Sequence, residues 1–219
     1  QNASVSSGGR LFLSSGGTGS NTQISSGGLE TIFSGALESG GTVSDGLLTI
    51  SSGGSAVHMT LTAGSGSDYA VVSSGGVISD TVIAGPDSSA SQSSVLTVGS
   101  GGTAYNTIAS HSYMTISEGG YASGVTLNDA GLYVYGAAEN VTLNPTSNYG
   151  VWVDGGTITG AVTSNATLLV VYDNGSVYKD RIENGGTEGI LSSGASYQAD
   201  ILSGGHLFAQ KAGAKAISA

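Results

Sequence analysis

Residues 96–156 read LTVGSGGTAYNTIASHSYMTISEGGYASGVTLNDAGLYVYGAAENVTLNPTSNYGVWVDGG. Two periodicities are superposed in this stretch. Over three residues at a time, apolar and polar side chains alternate, as in Leu96-Thr97-Val98, Met114-Thr115-Ile116, Leu132-Tyr133-Val134 and Val151-Trp152-Val153. Over longer distances, the first residue of each run recurs every 18 to 19 positions. Alternation marks a strand with one buried face. A fixed recurrence of that length marks a solenoid. A second run follows each first one, as in Asn106-Thr107-Ile108, Val125-Thr126-Leu127 and Val141-Thr142-Leu143. Each turn therefore offers two or three strands of about three to five residues, too short to stand alone.

The pattern extends outward from this core in both directions. Ser-Ser-Gly-Gly occurs at Ser6–Gly9, Ser14–Gly17, Ser25–Gly28, Ser51–Gly54 and Ser73–Gly76, and further Gly-Gly pairs start at Gly40, Gly101, Gly119, Gly155, Gly185 and Gly204. Glycine, Asn and Asp suit the corners because they tolerate positive φ. The expected fold is all-β, a single right-handed parallel β-helix (β-solenoid) spanning residues 1–219, of about eleven turns with a period near 19 residues. Strands paired one turn up and one turn down would make a rod roughly 50 Å long. The spacing of the glycine pairs predicts lengthened turns near 65–94 and 167–189. In the first, Gly85-Pro86-Asp87 signals a turn, and the polar run to Ser94 reads as a protruding loop. His206–Ala219 is only part of a turn, which reads as the cut end of a longer solenoid.

Composition narrows the function. The 219 residues include 38 Gly, 2 Pro and no Cys, and 9% are charged, against roughly 25% in ordinary soluble domains. Fifteen acidic against five basic residues leave a net charge of −10, which argues against nucleic acid as a partner. The longest apolar run, Leu168–Tyr172, falls far short of the ~20 residues of a membrane-spanning helix, and the chain reads as soluble with no leader at its start. Hydrophobic content of 38% separates it from a flexible Gly/Ser linker. Lack of Cys excludes disulfides and thiol chemistry.

Catalytic and metal-binding groups are sparse. His58, His111 and His206 belong to distant turns, so neither a Ser/His/Asp triad nor a histidine metal site is expected. Asp154 and Asp173 lie in matching register and would stand one turn apart at one corner, as an acid pair or cation site. The cluster Lys179, Asp180, Arg181, Glu183, Glu188 reads as a self-neutralising exposed loop. Imperfect echoes of a calcium β-roll at Gly16–Asn21 and Ala63–Asp68 are not stacked on each other, leaving weak calcium binding at acidic corners. The chain is expected to be no enzyme and to hold no cofactor or metal. Alternation instead turns Thr97, Thr115, Tyr133 and Trp152 outward in one file with Tyr113 and Tyr135 beside it, and the single Trp is expected to be exposed. Such aromatics either steady the sheet or anchor a partner. Thr107, Thr126 and Thr142 read as a plain threonine ladder on the surface.

The Ser-Ser-Gly-Gly corners, the period near nineteen, and Gly-Gly-Thr-Ala-Tyr-Asn-Thr-Ile and Gly-Gly-Tyr-Ala-Ser-Gly-Val-Thr-Leu within residues 101–127 resemble the passenger domains of AIDA-type self-associating autotransporter adhesins. The resemblance covers essentially the whole chain. It implies an extracellular module on a bacterial cell surface, tethered to the outer membrane by a C-terminal barrel outside this sequence. It implies a role in cell–cell aggregation, biofilm formation or host adhesion, with another copy of the passenger, a host receptor or a glycan as partner. Lack of Cys suits threading through a pore. The alternation, not the resemblance, offers Tyr113, Tyr133, Tyr135 and Trp152 as the candidate binding surface; the resemblance implies heptose-type glycosylation at Ser14, Ser25, Ser51 and Ser73. The alternatives are a carbohydrate-active β-helix, a polysaccharide lyase or hydrolase working near Asp154 and Asp173, and a structural spacer.

Overall fold

In the computed structural model, which describes residues 2–64, 66–86, 93–144, 150–165 and 167–217, every strand pairs in parallel with its counterpart one turn away. The chain is a β-solenoid of about 11 turns with a period of about 19 residues. Each turn has three strands and hence three walls. The first wall is an 11-stranded sheet that includes Ser94–Val98, Tyr113–Ile116, Gly131–Val134 and Gly150–Asp154. The second and third walls form one 20-stranded sheet, because Tyr121–Asn128 and Ala137–Asn144 each run through the bend between them. No helix occurs among the described residues, and none is long and apolar enough to cross a membrane.

Alternation fills the interior. Leu96, Val98, Met114, Ile116, Leu132, Val134, Val151 and Val153 all face inward and are fully buried, and they belong to one continuous core. Stacking lets each short strand bury its single apolar face against the turns above and below, which no isolated turn could do.

The corner between the first and second walls explains the glycine pair. At Ser73–Gly76 the Gly76 N–H donates to the Ser73 carbonyl at 2.8 Å, closing a tight turn. Gly75 sits at φ 74°, in the left-handed region that penalises a Cβ. Gly76 has an ordinary φ, but a Cβ there would lie 2.8 Å from the Ile50 carbonyl oxygen of the preceding turn. The first glycine is set by conformation and the second by space. Between the second and third walls a single left-handed residue makes the corner, among them Asn21, Gly40, His58, Asp80, Asn106, Gly124 and Asn140. The residue after it points inward, and that places Thr107 in the interior beside its paired neighbour Ile108↔Thr126. Thr107 therefore aligns with Val125 and does not share a surface ladder with Thr126 and Thr142.

The lengthened turns are two, and they are consecutive. Leu47 pairs with Tyr69 and Tyr69 with Val95, offsets of 22 and 26 positions. Asp45 anchors the first by accepting the Gly64 and Gly66 N–H groups at 2.8 and 3.0 Å. Ser94 ties the second to the first: its Oγ donates to Asp68 Oδ1 at 2.8 Å and accepts the Ala63 N–H at 2.9 Å. Most of the expected protruding loop, residues 87–92, lies outside the described residues. The turn across 167–189 has ordinary length, since Leu169 pairs with Glu188, 19 positions on. Its corner at Tyr172–Gly175 uses Asp173 and Asn174, at φ 47° and 68°, where most other corners of this wall use a glycine. The glycine spacing therefore skips a corner that the backbone makes.

Candidate functional site

The outward face of the first wall carries an aromatic stack. Thr97, Thr115, Tyr133 and Trp152 are in register on successive turns. Tyr133 and Trp152 lie nearly parallel, with ring centroids 4.9 Å apart at 15°, and Tyr113 stacks on Tyr133 at 6.4 Å and 22°. Gly131 makes this geometry possible. It pairs with Tyr113, and a Cβ there would come within 2.7 Å of the Tyr113 ring and 3.5 Å of the Trp152 ring. The Tyr113 ring therefore lies across a gap in the sheet. Desolvation, with Tyr113 and Tyr135 close by, raises the Tyr133 phenol above its ordinary pKa. Trp152 is half-buried where an exposed side chain was expected, because Tyr133 covers one side of the indole. Tyr135, two positions on, is 41% exposed. The structure thus brings Tyr113, Tyr133 and Trp152 together with Tyr135 at the edge.

Asp154 and Asp173 are not in matching register. Asp154 pairs with Tyr172, so Asp173 falls one position later, on the left-handed corner. The Tyr172 phenol is pushed up in pKa by burial and then by the nearby charge of Asp154, with Tyr135 and Asp173 adding to it. The two acids are therefore offset by one position, with the Tyr172 phenol near both. His58 and His111 occupy left-handed corners, His111 with Asp129 at 3.4 Å, and His206 begins a first-wall strand. Among the described residues no three His, Asp or Glu side chains converge to hold a metal ion.

The four predicted serines do not share one corner. Ser14, Ser51 and Ser73 start the corner after the first wall, whereas Ser25 starts the corner before it. The residue that follows in these turns is the more accessible one. Ser15, Ser34, Ser52, Ser74 and Ser100 are all exposed, on five consecutive turns of the same corner. The Oγ atoms of Ser34, Ser52, Ser74 and Ser100 each sit where the following turn's glycine has no side chain, within 3.0 Å of where a Cβ would stand.

The sequence reading missed the interior acids. Glu30, Glu38, Asp180 and Glu188 are buried, so the cluster from Lys179 to Glu188 is not an exposed self-neutralising loop; only Arg181 and Glu183 pair on its surface, at 3.0 Å. Glu30 occupies the inward position of Leu48, and Glu188 that of Leu169 and Leu207. Glu38 fits because Gly19 on the preceding turn leaves space for its carboxyl group, and it accepts the Thr22 N–H at 3.1 Å. Burial, then the Glu38 charge, raises Glu30 to about 8. Burial, then Asp180, raises Glu188 to about 9, with Ser196 Oγ 3.4 Å from Glu188 and 3.5 Å from Asp180 opposing it. Were both acids of a pair ionised, Glu30 Oε1 and Oε2, Glu38 Oε2, Asp180 Oδ2 and Glu188 Oε1 would stand buried without a donor. One proton held within each pair lets one carboxyl group donate to the other and removes one of the two buried charges.

No family model matches the sequence, and no curated protein matches it. The fold matches a solved structure, the TibC-catalysed hyper-glycosylated fragment of TibA, with a TM-score of 0.69 and 25% identity over 98% of this chain and 94% of that one. TibA's fragment is the passenger of an AIDA-type autotransporter adhesin. The chain is similar in fold to an AIDA-type passenger along nearly its whole length. A passenger neighbour implies an extracellular or cell-surface setting.

Proposed function

We propose that this AIDA-like passenger is the adhesive rod of a bacterial surface protein, anchored in the outer membrane by a barrel beyond this sequence, and that it promotes cell–cell aggregation and biofilm formation by side-to-side self-association. The reading rests on the stacked Tyr113, Tyr133 and Trp152 on the outer face of a rod that matches the TibA passenger almost end to end. Flat aromatic side chains held by their neighbours anchor a partner at low entropic cost, and repeated weak contacts along two rods add up to useful avidity. Sedimentation of the chain across concentration and salt, beside a Tyr133→Ser, Trp152→Ser variant, tests it. Concentration-dependent dimers that the variant loses support the reading. A monomer under every condition removes self-association and leaves a host receptor or a spacer role.

A second reading concerns modification. The exposed file Ser15, Ser34, Ser52, Ser74 and Ser100 presents hydroxyls at one corner, and the matching TibA fragment is glycosylated. We assign glycosylation to this file in place of Ser14, Ser25, Ser51 and Ser73. Co-expression with TibC followed by peptide mass mapping should place hexose- or heptose-sized additions on Ser52 and Ser74. Additions on Ser51 and Ser73 alone would overturn the assignment.

A further inference from the structure

The aromatic stack ends beside a groove. Beyond Trp152 the outward file continues as Val170, Gly189 and Phe208. Phe208 tilts over Gly189, where a Cβ would stand 2.8 Å from its ring. The groove lies beside the indole, where the smaller Val170 follows Trp152 on the next turn. The depression holds about 390 Å³ and is lined by Trp152, Val170, Tyr172, Asp173, Ser192 and Lys211 among others. Its rim is built by one corner on three successive turns: Asp173, Ser192 and Lys211 follow Tyr172, Leu191 and Gln210 and hold φ of 47°, 32° and 71°. These repeated left-handed corners fix where the rim side chains start. The Tyr172 phenol stands among Asp154 and Asp173, as its raised pKa reflects.

We propose that this groove binds a neutral saccharide, with the indole of Trp152 under the C–H face of one sugar ring and Asp173, Ser192, Lys211 and the Tyr172 hydroxyl meeting its hydroxyl groups. A sugar ring has one apolar face and a rim of hydroxyls. The groove answers both, with an indole on one side and, along the edge, a carboxylate acceptor, an ammonium donor and two hydroxyls that do either. A hydroxyl bonded to a carboxylate makes a short, strong contact. Asp154 and Asp173 against Lys211 alone, on a chain of net charge −10, disfavour uronic acids and phosphorylated sugars. The inference deepens the adhesive reading by naming a glycan as a second kind of partner, and it rests on that reading for its setting.

Trp152 is the only Trp in the chain, so its emission reports on the groove directly. The whole chain, kept dilute enough to sediment as a monomer, is titrated with lactose, cellobiose and mannobiose, and with digalacturonate as the charged control. Saturable emission changes with at least one neutral disaccharide, weakened about tenfold or more by Asp173→Asn and by Tyr172→Phe, are expected. Both substitutions lie outside the core, and circular dichroism checks that each variant is folded. Flat emission with all three neutral sugars overturns the proposal. So does binding that the two variants leave unchanged, or digalacturonate binding as well as the neutral sugars. Sedimentation of sugar-free samples reports self-association separately, so loss of either property is read without the other.

Discussion

The interior acid pairs make folding take up protons, and the consequence for stability has a fixed sign. Glu30 moves from an ordinary value of 4.5 to about 8 and Glu188 from 4.5 to about 9. A group whose folded pKa is raised contributes its stability fully below the unfolded pKa and loses it as pH rises through the folded one. Between pH 5.5 and 7.5 the unfolded chain has released both protons while the folded chain keeps them. Each retained proton then lowers the unfolding free energy by about 1.4 kcal/mol per pH unit. Two pairs give about 3 kcal/mol per unit, so about 5 kcal/mol is the most these two pairs can contribute over this interval. That is large beside a typical total of about 5–15 kcal/mol. Urea midpoints, followed by Trp152 emission, should fall from pH 5.5 to 7.5 by an equivalent of about 2 to 5 kcal/mol. The Glu30→Gln, Glu188→Gln variant isolates the cause. An amide N–H₂ supplies the donor that the shared proton provides, so this variant should lose most of the slope and be the more stable chain at pH 7.5. A parent whose stability is flat or rising over this range refutes the reasoning. A double variant that keeps the parent's slope assigns it to other groups, such as buried Asp68, which burial raises to about 6, and refutes it equally.

Three further outcomes follow from the corners and the charge. Gly16→Asn should be mild, because Asn accepts φ near 76° and a Cβ there meets nothing within 4 Å, whereas Gly76→Asn should lower stability by about 1–3 kcal/mol by forcing a Cβ against the Ile50 carbonyl; thermal unfolding of the two variants side by side separates conformation from space. Ser94→Ala takes away the hydroxyl that joins Asp68 to the Ala63 N–H, so it should cost about 1–3 kcal/mol and lower Tm by several degrees, measured by calorimetry near pH 7. At −10 per chain, parallel rods repel across distances that salt of about 0.1 M screens within ~10 Å, so self-association should strengthen with ionic strength or calcium, and a steady weakening with salt would contradict it.

The solenoid was legible because its two signals reinforce each other. Alternation at Leu96, Met114, Leu132 and Val151 fixes which side is in, and the recurrence fixes how turns stack. The aromatic file followed from the same rule. What escaped did so for a common reason: in a period-two structure, a slip of one position moves a side chain to the other face. Aligning Thr107 with Thr126 placed a buried hydroxyl on the surface, and aligning Asp173 with Asp154 created a pair that Tyr172 in fact separates. Counting glycine pairs passed over the corner at Asp173-Asn174 and stretched the apparent turn at 167–189. Within that stretch, Asp180 and Glu188 were read from their charge, although strand register places them opposite Ala161 and Leu169.

In a repeat this regular, function is recorded as departure from the repeat, and the departures have opposite meanings on the two faces. On the outer face an unexpected glycine marks a place where a ring from a neighbouring turn lies across the sheet: Gly131 receives Tyr113 and Gly189 receives Phe208. Those rings are therefore held in place before any partner arrives. On the inner face an unexpected acid marks a bound proton. Glu30 and Glu188 occupy the same position after a glycine pair, in Gly-Gly-Leu-Glu-Thr-Ile and Gly-Gly-Thr-Glu-Gly-Ile, and each is followed two residues later by a core isoleucine. Alternation alone turns both inward, so the buried pairs can be found from sequence once charge is not allowed to override phase. Each then has a second acid exactly eight positions away, Glu38 after Glu30 and Asp180 before Glu188, the spacing that carries the chain around one corner of the turn. Acid at an inward phase with acid eight positions away is thus a sequence signature for a protonated pair inside a three-walled solenoid, and it predicts a fold that is strongest in mildly acidic surroundings.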